Sequence, residues 1–281
     1  MTTLRQALLD AQKSLKNRPD CQPELEASLL LCHLLGKPKS HLYAWPEASL
    51  SSSQLQNYQH LIEQRLSGTP IAYILKQREF WSLTLRVTPA TLIPRPETEL
   101  AVERSLFHLQ LVEKPSLADL GTGSGAIALA LSSERPESRI DATDCSPEAL
   151  AVAKENAQSL GLLNINFHLG DWCNALPSSI RYDLVVSNPP YIESADPHLS
   201  QGDLPKEPIN ALASGPDGLD DIRSIIYQAP AYLKQKGWLI LEHGYRQADE
   251  VTSLLHSAGL VEIATHADLG GNPRITEARL P

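Results

Sequence analysis

The sequence predicts an α/β fold, in which a doubly wound parallel sheet follows a small N-terminal helical bundle and a β-hairpin linker. From Ser116 onward, short apolar runs alternate with helical patterns, which is typical of a parallel sheet covered by helices on both faces. The first quarter of the chain has helical patterns alone, and a short alternating stretch follows it. We therefore divide the 281 residues into a helical domain (1–70), a linker (71–95) and a larger domain (96–281).

Three helical patterns fill the N-terminal part. Residues 3–15 place leucines and alanines at helical spacing, and Thr3 and Gln6 have the spacing of a capping box. Residues 23–35 and 53–66 form the second and third patterns, and a glycine follows each of them closely, which favours helix termination. Three short helices with polar faces predict a small bundle.

The linker differs from the regions on either side of it. Its segment EFWSLTLRV alternates in polarity and is rich in residues that favour strands, and prolines close it. We predict a hairpin here. Directly afterwards, Pro96 fits the first position of a helix, where Glu97 and Glu99 suit the positive end of the helix dipole.

The larger domain alternates strands with helices. The predicted strands are LADLG, RIDATD, INFHLGD, YDLVVSN and GWLILEHG, with helical patterns such as 147–160 between them. Two further runs, VEIATHAD and RITEARL, follow closely at the end of the chain. Their short spacing predicts an antiparallel pair at one edge of the sheet.

Composition excludes several classes of protein. A net charge of −9 and a pI of about 5.5 argue against a surface that grips nucleic acid non-specifically. The N-terminal segment MTTLRQALLDAQ has no apolar core of a signal peptide, and no apolar run reaches the ~18 residues of a membrane span. We therefore expect a cytoplasmic protein that makes no membrane contact.

Cysteine and histidine spacing gives no sign of a metal site. The four cysteines form no C-x-x-C pair, so we expect buried, reduced thiols rather than zinc ligands or disulfides. Asp196 with His198, and Glu242 with His243, have no third ligand at a useful spacing. The expectation is a site without metal.

A glycine-rich loop follows the first strand of the larger domain. Such a loop turns tightly and lets a ligand lie against bare main chain. Gly121, Gly123 and Ala126 also satisfy the dinucleotide fingerprint, but Asp119 would repel a pyrophosphate and could instead face a cationic cofactor. The D-x-G-x-G-x-G pattern resembles the cofactor loop of class I methyltransferases. The predicted contacts here are Asp119, Gly121, Thr122, Gly123, Ser124 and Gly125.

Acidic residues end the next two strands as well. Asp144 ends the second strand, where a carboxylate accepts hydrogen bonds from ribose hydroxyls of either kind of cofactor. Asp171 and Trp172 follow the third strand. We predict that Asp171 accepts from an adenine amine and that Trp172 supplies apolar surface, although a tryptophan at this position is also typical of a core residue.

The fourth strand runs into the tetrapeptide Asn188-Pro189-Pro190-Tyr191. An amide or arylamine nitrogen is a poor nucleophile, and a site that accepts both of its N–H bonds orients it. The Asn188 side-chain carbonyl and the Pro189 backbone carbonyl offer these two acceptors, while the prolines stiffen the turn. Tyr191 can pack against a flat substrate group. If the first and fourth strands are neighbours, the tetrapeptide and the glycine loop share one cleft, and catalysis proceeds by positioning.

The chain as a whole resembles the HemK/PrmC family of class I, Rossmann-like methyltransferases. The resemblance rests on the motifs GTP-x-AYI, EFW, LIPRPETE, the glycine loop, NPPY, DPHL, GD, EHG and the terminal RIT. It implies transfer of a methyl group from S-adenosylmethionine, with S-adenosylhomocysteine as product, to the glutamine N5 of the GGQ motif of class I peptide-chain release factors. It also implies cofactor contacts by residues 121–125, Asp144, Trp172 and Asn188, substrate contacts by residues 188–191, and an N-terminal domain that helps to dock the release factor.

Some features leave alternatives open. Arg95 and Glu97 could close over the cofactor or substrate, or could serve only as a helix cap and an ion pair. Lys76 stands where the family usually has glycine, which would strain the turn if that glycine has a positive φ. An adenine N6-methyltransferase acting on DNA or RNA is the alternative function, since the tetrapeptide suits an arylamine too, although that enzyme would need a basic groove. A non-catalytic dinucleotide-binding protein would leave the tetrapeptide unexplained.

Overall fold

The computed structural model describes residues 2–18 and 21–281, which divide into two compact units. The first consists of Met1–Gln77 together with Ser200–Lys206. The second consists of Arg78–Leu199 and Glu207–Pro281. Within the described part of the chain, no helix is both long enough and apolar enough to span a membrane.

The first unit is a helical bundle. Its helices are α1 (Leu4–Leu15), α2 (Pro23–Leu35), α3 (Lys39–Ala44), α4 (Ser52–Leu66) and α5 (Ile71–Leu75). Thr3 caps α1 by accepting from the backbone of Gln6, and Ser51 forms a reciprocal capping box with Gln54 at the start of α4. Apolar faces of these helices form one core, in which the hydroxyl of the buried Tyr58 donates to a backbone carbonyl of α2.

A buried ion cluster completes the first unit. Arg65 of α4 donates to Glu26 of α2 at 2.7 Å and to Asp203 of the segment Ser200–Lys206 at 2.6 Å. Arg18 donates to the same Asp203 oxygen at 2.8 Å. The segment is therefore fixed to the bundle by charge-assisted hydrogen bonds.

The second unit is built on a seven-stranded sheet. Its helices are α6 (Glu99–Leu109), α7 (Ala126–Glu134), α8 (Pro147–Leu160), α9 (Asp220–Gln228) and α10 (Ala248–Ser257). Its strands are β3 (Ser116–Leu120), β4 (Arg139–Asp144), β5 (Ile165–Leu169), β6 (Tyr182–Ser187), β7 (Leu233–Glu242), β8 (Val261–Ala267) and β9 (Pro273–Arg279), in the order β5-β4-β3-β6-β7-β9-β8. The first five are parallel, and β9 pairs antiparallel with both β7 and β8.

The central strands are apolar on both faces because helices cover both. On β3, Leu117 packs into the core formed with α6, α7 and α8, whereas Ala118 and Leu120 pack into the core formed with α9 and α10. The predicted alternation of strands and helices is confirmed, as is the antiparallel pair at the sheet edge. The pairing of β3 with β6 brings the first and fourth strands of the sheet together, as the sequence analysis required for a shared cleft.

The predicted linker contains a hairpin and an additional helix. Strands β1 (Gln77–Phe80) and β2 (Leu83–Arg86) pair with each other, and Trp81 and Ser82 between them have φ of 52° and 58°. Residues 71–75, which we expected in the linker, form α5 instead, because Pro70 precedes them and three of the five side chains are buried. Lys76, which follows α5, has a φ of 58°.

Candidate functional site

A cavity of about 640 Å³ lies where four parallel strands end. The strands are β3, β4, β5 and β6, which are followed or ended by Gly121, Asp144, Gly170 and Asn188. Ligands of open α/β sheets bind at this edge. The predicted site residues that line the cavity are Gly121, Gly123, Asp144, Asp171, Trp172, Asn188 and Pro190.

Two hydrogen bonds from backbone N–H groups of the glycine loop to residues of β4 fix the conformation of the loop. The Thr122 N–H donates to the Thr143 carbonyl at 2.9 Å, and the Gly123 N–H donates to the Asp144 carboxylate at 2.8 Å. Gly121 has a φ of 70°, and a Cβ atom there would come within 2.9 Å of the Trp172 ring. Only glycine fits between this turn and the tryptophan.

Asp119 lies beneath the loop and is not among the residues that line the cavity. Its Oδ2 accepts from the Thr122 hydroxyl at 2.6 Å and from the Ala128 N–H at 3.1 Å, so it joins the loop to the start of α7. Burial raises the pKa of Asp119 to about 6. Thr122, Ser124 and Gly125 likewise fall outside the lining, since Thr122 and Ser124 are buried and Gly125 packs against α7.

Asp144 lines the cavity from the end of β4. One of its oxygens accepts from Gly123 and the other from the backbone of Ser146 at 2.9 Å, which fixes the orientation of the carboxylate. Burial raises the pKa of Asp144, although backbone hydrogen bonds oppose this effect. The carboxylate that lines the cavity is therefore held in one orientation.

Asn188 projects from the end of β6 into the cavity lining. Its Nδ2 donates to the hydroxyl of Thr98 at 3.0 Å. Pro189 and Pro190 are buried, whereas Tyr191 is partly exposed, with its hydroxyl 3.4 Å from Oε1 of Glu242. Burial, then the nearby charge of Glu242, raises the pKa of Tyr191. Pro190 lines the cavity, and Pro189 and Tyr191 are not among its lining residues.

Arg95 and Glu97 are not among the lining residues either. Arg95 pairs with the buried carboxylate of Glu207, which also accepts from the backbone N–H of Ile93 at 3.0 Å. Because Pro208 follows Glu207 directly and lines the cavity, this ion pair anchors one wall of the site.

Sequence reasoning missed part of the lining. These residues come from the loop before α6, the start of α8, the long loop after the tetrapeptide and the start of α9: Ala90, Thr91, Leu92, Cys145, Ser146, Glu148, Ala149, Pro208, Asn210, Ala211, Ala213 and Asp221. Cys145 is exposed and Cys21 and Cys32 are partly exposed, so the expectation of buried thiols is correct for Cys173 alone among the four. Apart from Leu92, which begins the LIPRPETE motif, no local motif marks these positions, because they reach the site only through the fold.

The charged side chains that line the cavity are all acidic. They are Asp144, Glu148, Asp171 and Asp221, and no lysine, arginine or histidine in the described part of the chain lines the cavity. Such a cavity favours a cationic ligand over a phosphate. Among residues 2–18 and 21–281, no group of three or more His, Cys, Asp or Glu side chains is arranged to hold a metal ion.

Comparison with known proteins identifies the family. The PrmC N-terminal domain family matches residues 6–75, and the methyltransferase small domain family matches residues 102–203. Relatives named release factor glutamine methyltransferase include one from Vibrio cholerae, 46% identical over 98% of this chain and 96% of the relative, and one from Coxiella burnetii, 51% identical over 92% of each. The chain belongs to the release factor glutamine methyltransferase family. The family's relative from Escherichia coli is 44% identical over 98% of this chain and 97% of its own length.

Solved structures share the fold at much lower identity. A methyltransferase from Pyrococcus furiosus is 15% identical with a TM-score of 0.51, covering 80% of this chain and 98% of its own. The 16S rRNA methyltransferase RsmC of T. thermophilus is 17% identical with a TM-score of 0.54, covering 73% of this chain and 50% of its own. The predicted class I, Rossmann-like methyltransferase fold is therefore confirmed for this family member.

Proposed function

We propose that this chain transfers a methyl group from S-adenosylmethionine to the side-chain amide nitrogen of the glutamine in the GGQ motif of class I release factors. The observation that carries the proposal is the position of Asn188, which stands in the same cavity as the glycine loop. The names of the relatives support the acceptor, and the sequence motifs support the donor.

The cavity suits S-adenosylmethionine, which supplies a methyl group on a positively charged sulfur. Four acidic side chains and the absence of basic ones in the lining favour a cation and disfavour the pyrophosphate of a dinucleotide. Asp144 would accept the ribose hydroxyls, Asp171 an adenine amine, and Trp172 would cover the apolar surface of the base. Gly121 and Gly123 would let the ligand lie against the main chain.

Asn188 would orient the substrate amide. Its Nδ2 is engaged by Thr98, so its Oδ1 is the part of the side chain that can accept a substrate N–H. The Pro189 carbonyl would accept the other N–H, and the two buried prolines keep both acceptors rigid. Catalysis would then rest on positioning of the nitrogen, which loses its proton once it is methylated.

The helical unit would help to dock the protein substrate. It exposes two aromatic side chains close together in sequence, with Tyr43 72% and Trp45 63% exposed. Exposed apolar surface of this kind marks interaction sites. The alternative, methylation of adenine N6 in nucleic acid, lacks support because the cavity lining offers no cation to a phosphate backbone.

A methyl-transfer assay tests this proposal. Labelled S-adenosylmethionine is incubated with the protein and with a purified release factor, its GGQ→GGA variant, or DNA and RNA of mixed sequence. Label on the wild-type factor alone supports the proposal. Label on nucleic acid would favour the alternative, and transfer to none of these acceptors would refute the proposal.

Asn188→Ala should abolish most turnover while preserving the fold. The substitution removes one acceptor from a partly exposed position and leaves β6 intact, so we expect kcat to fall by about 100-fold or more. Circular dichroism and thermal unfolding of the variant should match the parent protein. A variant with unchanged kcat would show that the amide is not activated by this side chain.

A further inference from the structure

The side-chain amide of Asn188 is held by residues from two other parts of the second unit. Thr98 ends the short 3₁₀ helix Pro96–Thr98, and Glu242 ends β7. Asn188 Nδ2 donates to Thr98 Oγ1, and the Thr98 hydroxyl in turn hydrogen-bonds the Glu242 carboxylate. Thr98 is 3% exposed and Glu242 is 1% exposed, and neither is among the residues that line the cavity.

The direction of these hydrogen bonds follows from proton counting. An ionised carboxylate can only accept, so the single hydroxyl proton of Thr98 must point at Glu242. The hydroxyl oxygen can then only accept from Asn188, which must present its Nδ2 group. The Oδ1 carbonyl of Asn188 is thereby turned away from Thr98.

We propose that Thr98 and Glu242 are positioning residues that determine which end of the Asn188 amide meets the substrate. The inference rests on the proposed function, in which Oδ1 of Asn188 accepts a substrate N–H. With the amide reversed, Asn188 would present N–H groups to a substrate N–H, and the contact would become repulsive. Neither Thr98 nor Glu242 needs to touch the substrate for this effect.

The surroundings of Glu242 support a special role for its charge. Its Oε2 has no hydrogen-bond partner in the described part of the chain, which is costly for a buried carboxylate. Burial raises the pKa of Glu242 to about 7, against the lowering effects of Thr98, Arg274 and Tyr191, while the charge of Glu97 raises it further. These four residues are the polar and charged groups that face it from the turn before α6, from β9 and from the loop after β6.

Protonation of Glu242 should therefore weaken catalysis. A protonated carboxyl can donate to Thr98, whose own proton is then free to turn towards Asn188 and favour the reversed amide. We expect kcat of the wild-type enzyme to rise with pH through about 7 as Glu242 ionises. The same inflection should be absent from Glu242→Gln, which has no titrating group there.

The decisive comparison is Thr98→Val against Thr98→Ser. Valine keeps the shape of threonine but removes the hydroxyl, and Thr98 makes no capping hydrogen bond to α6 that valine would lose. We expect Thr98→Val to lower kcat by about 10- to 100-fold, because a misoriented group costs that much in a positioned reaction. Thr98→Ser, which retains the hydroxyl, should recover most of the loss. The affinity for S-adenosylmethionine, measured by calorimetry, should change far less than kcat in both variants.

The outcomes separate this inference from the proposed function. If the wild-type protein labels no release factor, the proposed function is wrong. If it does label the factor, either of two results would refute the positioning role of Thr98. One is a kcat of Thr98→Val equal to that of the wild type, and the other is a kcat of Thr98→Ser as low as that of Thr98→Val. If Thr98→Val does not fold, Glu242→Gln decides alone, and an unchanged pH inflection in that variant would refute the inference.

Discussion

At the scale of single residues, Lys76 is an exposed non-glycine residue in the left-handed region. It follows α5 with a φ of 58° and a ψ of 22°, a position where helices commonly end on glycine. A Cβ atom in this conformation costs roughly 1 kcal/mol. We therefore predict that Lys76→Gly stabilises the protein by up to about 0.5 kcal/mol, after the greater flexibility of glycine in the unfolded chain is counted.

Lys76→Ala serves as the matched control for this prediction. It removes the same exposed side chain but retains the Cβ atom, so it should give no comparable gain. Chemical denaturation of the three proteins would measure the difference in the free energy of unfolding. Equal stabilisation by alanine and glycine would attribute the effect to the lysine side chain instead of the backbone.

At the scale of elements, Glu277 joins β9 to α6 and β8. Both of its oxygens accept from Arg104 at 2.9 Å, and the rings of His108 and His266 each lie 3.1 Å from it. Burial alone would raise the pKa of Glu277, but hydrogen bonds from His108, Arg104 and His266 outweigh it and lower the pKa to about 2. Because the folded-state pKa is depressed, the ionised carboxylate stabilises the fold above about pH 4.5, and this contribution is lost as the pH falls towards 2.

Glu277→Gln should therefore destabilise the protein by about 2–4 kcal/mol at pH 7, since it leaves Arg104 without its charge partner. The difference from wild type should shrink at pH 3. The control is Glu103→Gln, an exposed substitution on α6, the helix that carries Arg104. It should change the unfolding free energy by less than about 0.5 kcal/mol. Urea denaturation at both pH values measures these differences, and a pH-independent loss in Glu277→Gln would exclude the charge as its cause.

Sequence patterns predicted those elements whose signal is local. The strands and the glycine loop are contiguous, and the tetrapeptide follows directly from β6, so their place at one sheet edge could be inferred. The helices α3 and α5 were missed because each is too short to show a helical period. The position of β9 between β7 and β8, and the contact of Thr98 with Asn188, depend on residues far apart in sequence, which no local pattern records.

At the scale of the whole molecule, the chain passes three times between its two units. The segment Ser200–Lys206 belongs to the first unit, although the residues on both sides of it in sequence belong to the second. Asp203 is its ionic anchor, because Arg18 and Arg65 of the bundle both donate to one of its oxygens. The first unit is thus completed by a piece of the long loop that follows the tetrapeptide.

We predict that Asp203→Ala destabilises the first unit by about 2 kcal/mol, because among the described residues the buried Arg65 then keeps only Glu26 as a charge partner. Hydrogen exchange is the appropriate measurement, since two units need not unfold in one transition. A loss of this size corresponds to exchange about 30-fold faster in residues 2–77 as well as in 200–206, with the second unit unaffected. Gln201→Ala, an exposed change in the same segment, should leave both regions protected. If Asp203→Ala accelerated exchange in 200–206 alone, the bundle would be stable without this segment, and the ion cluster would serve only to hold the loop.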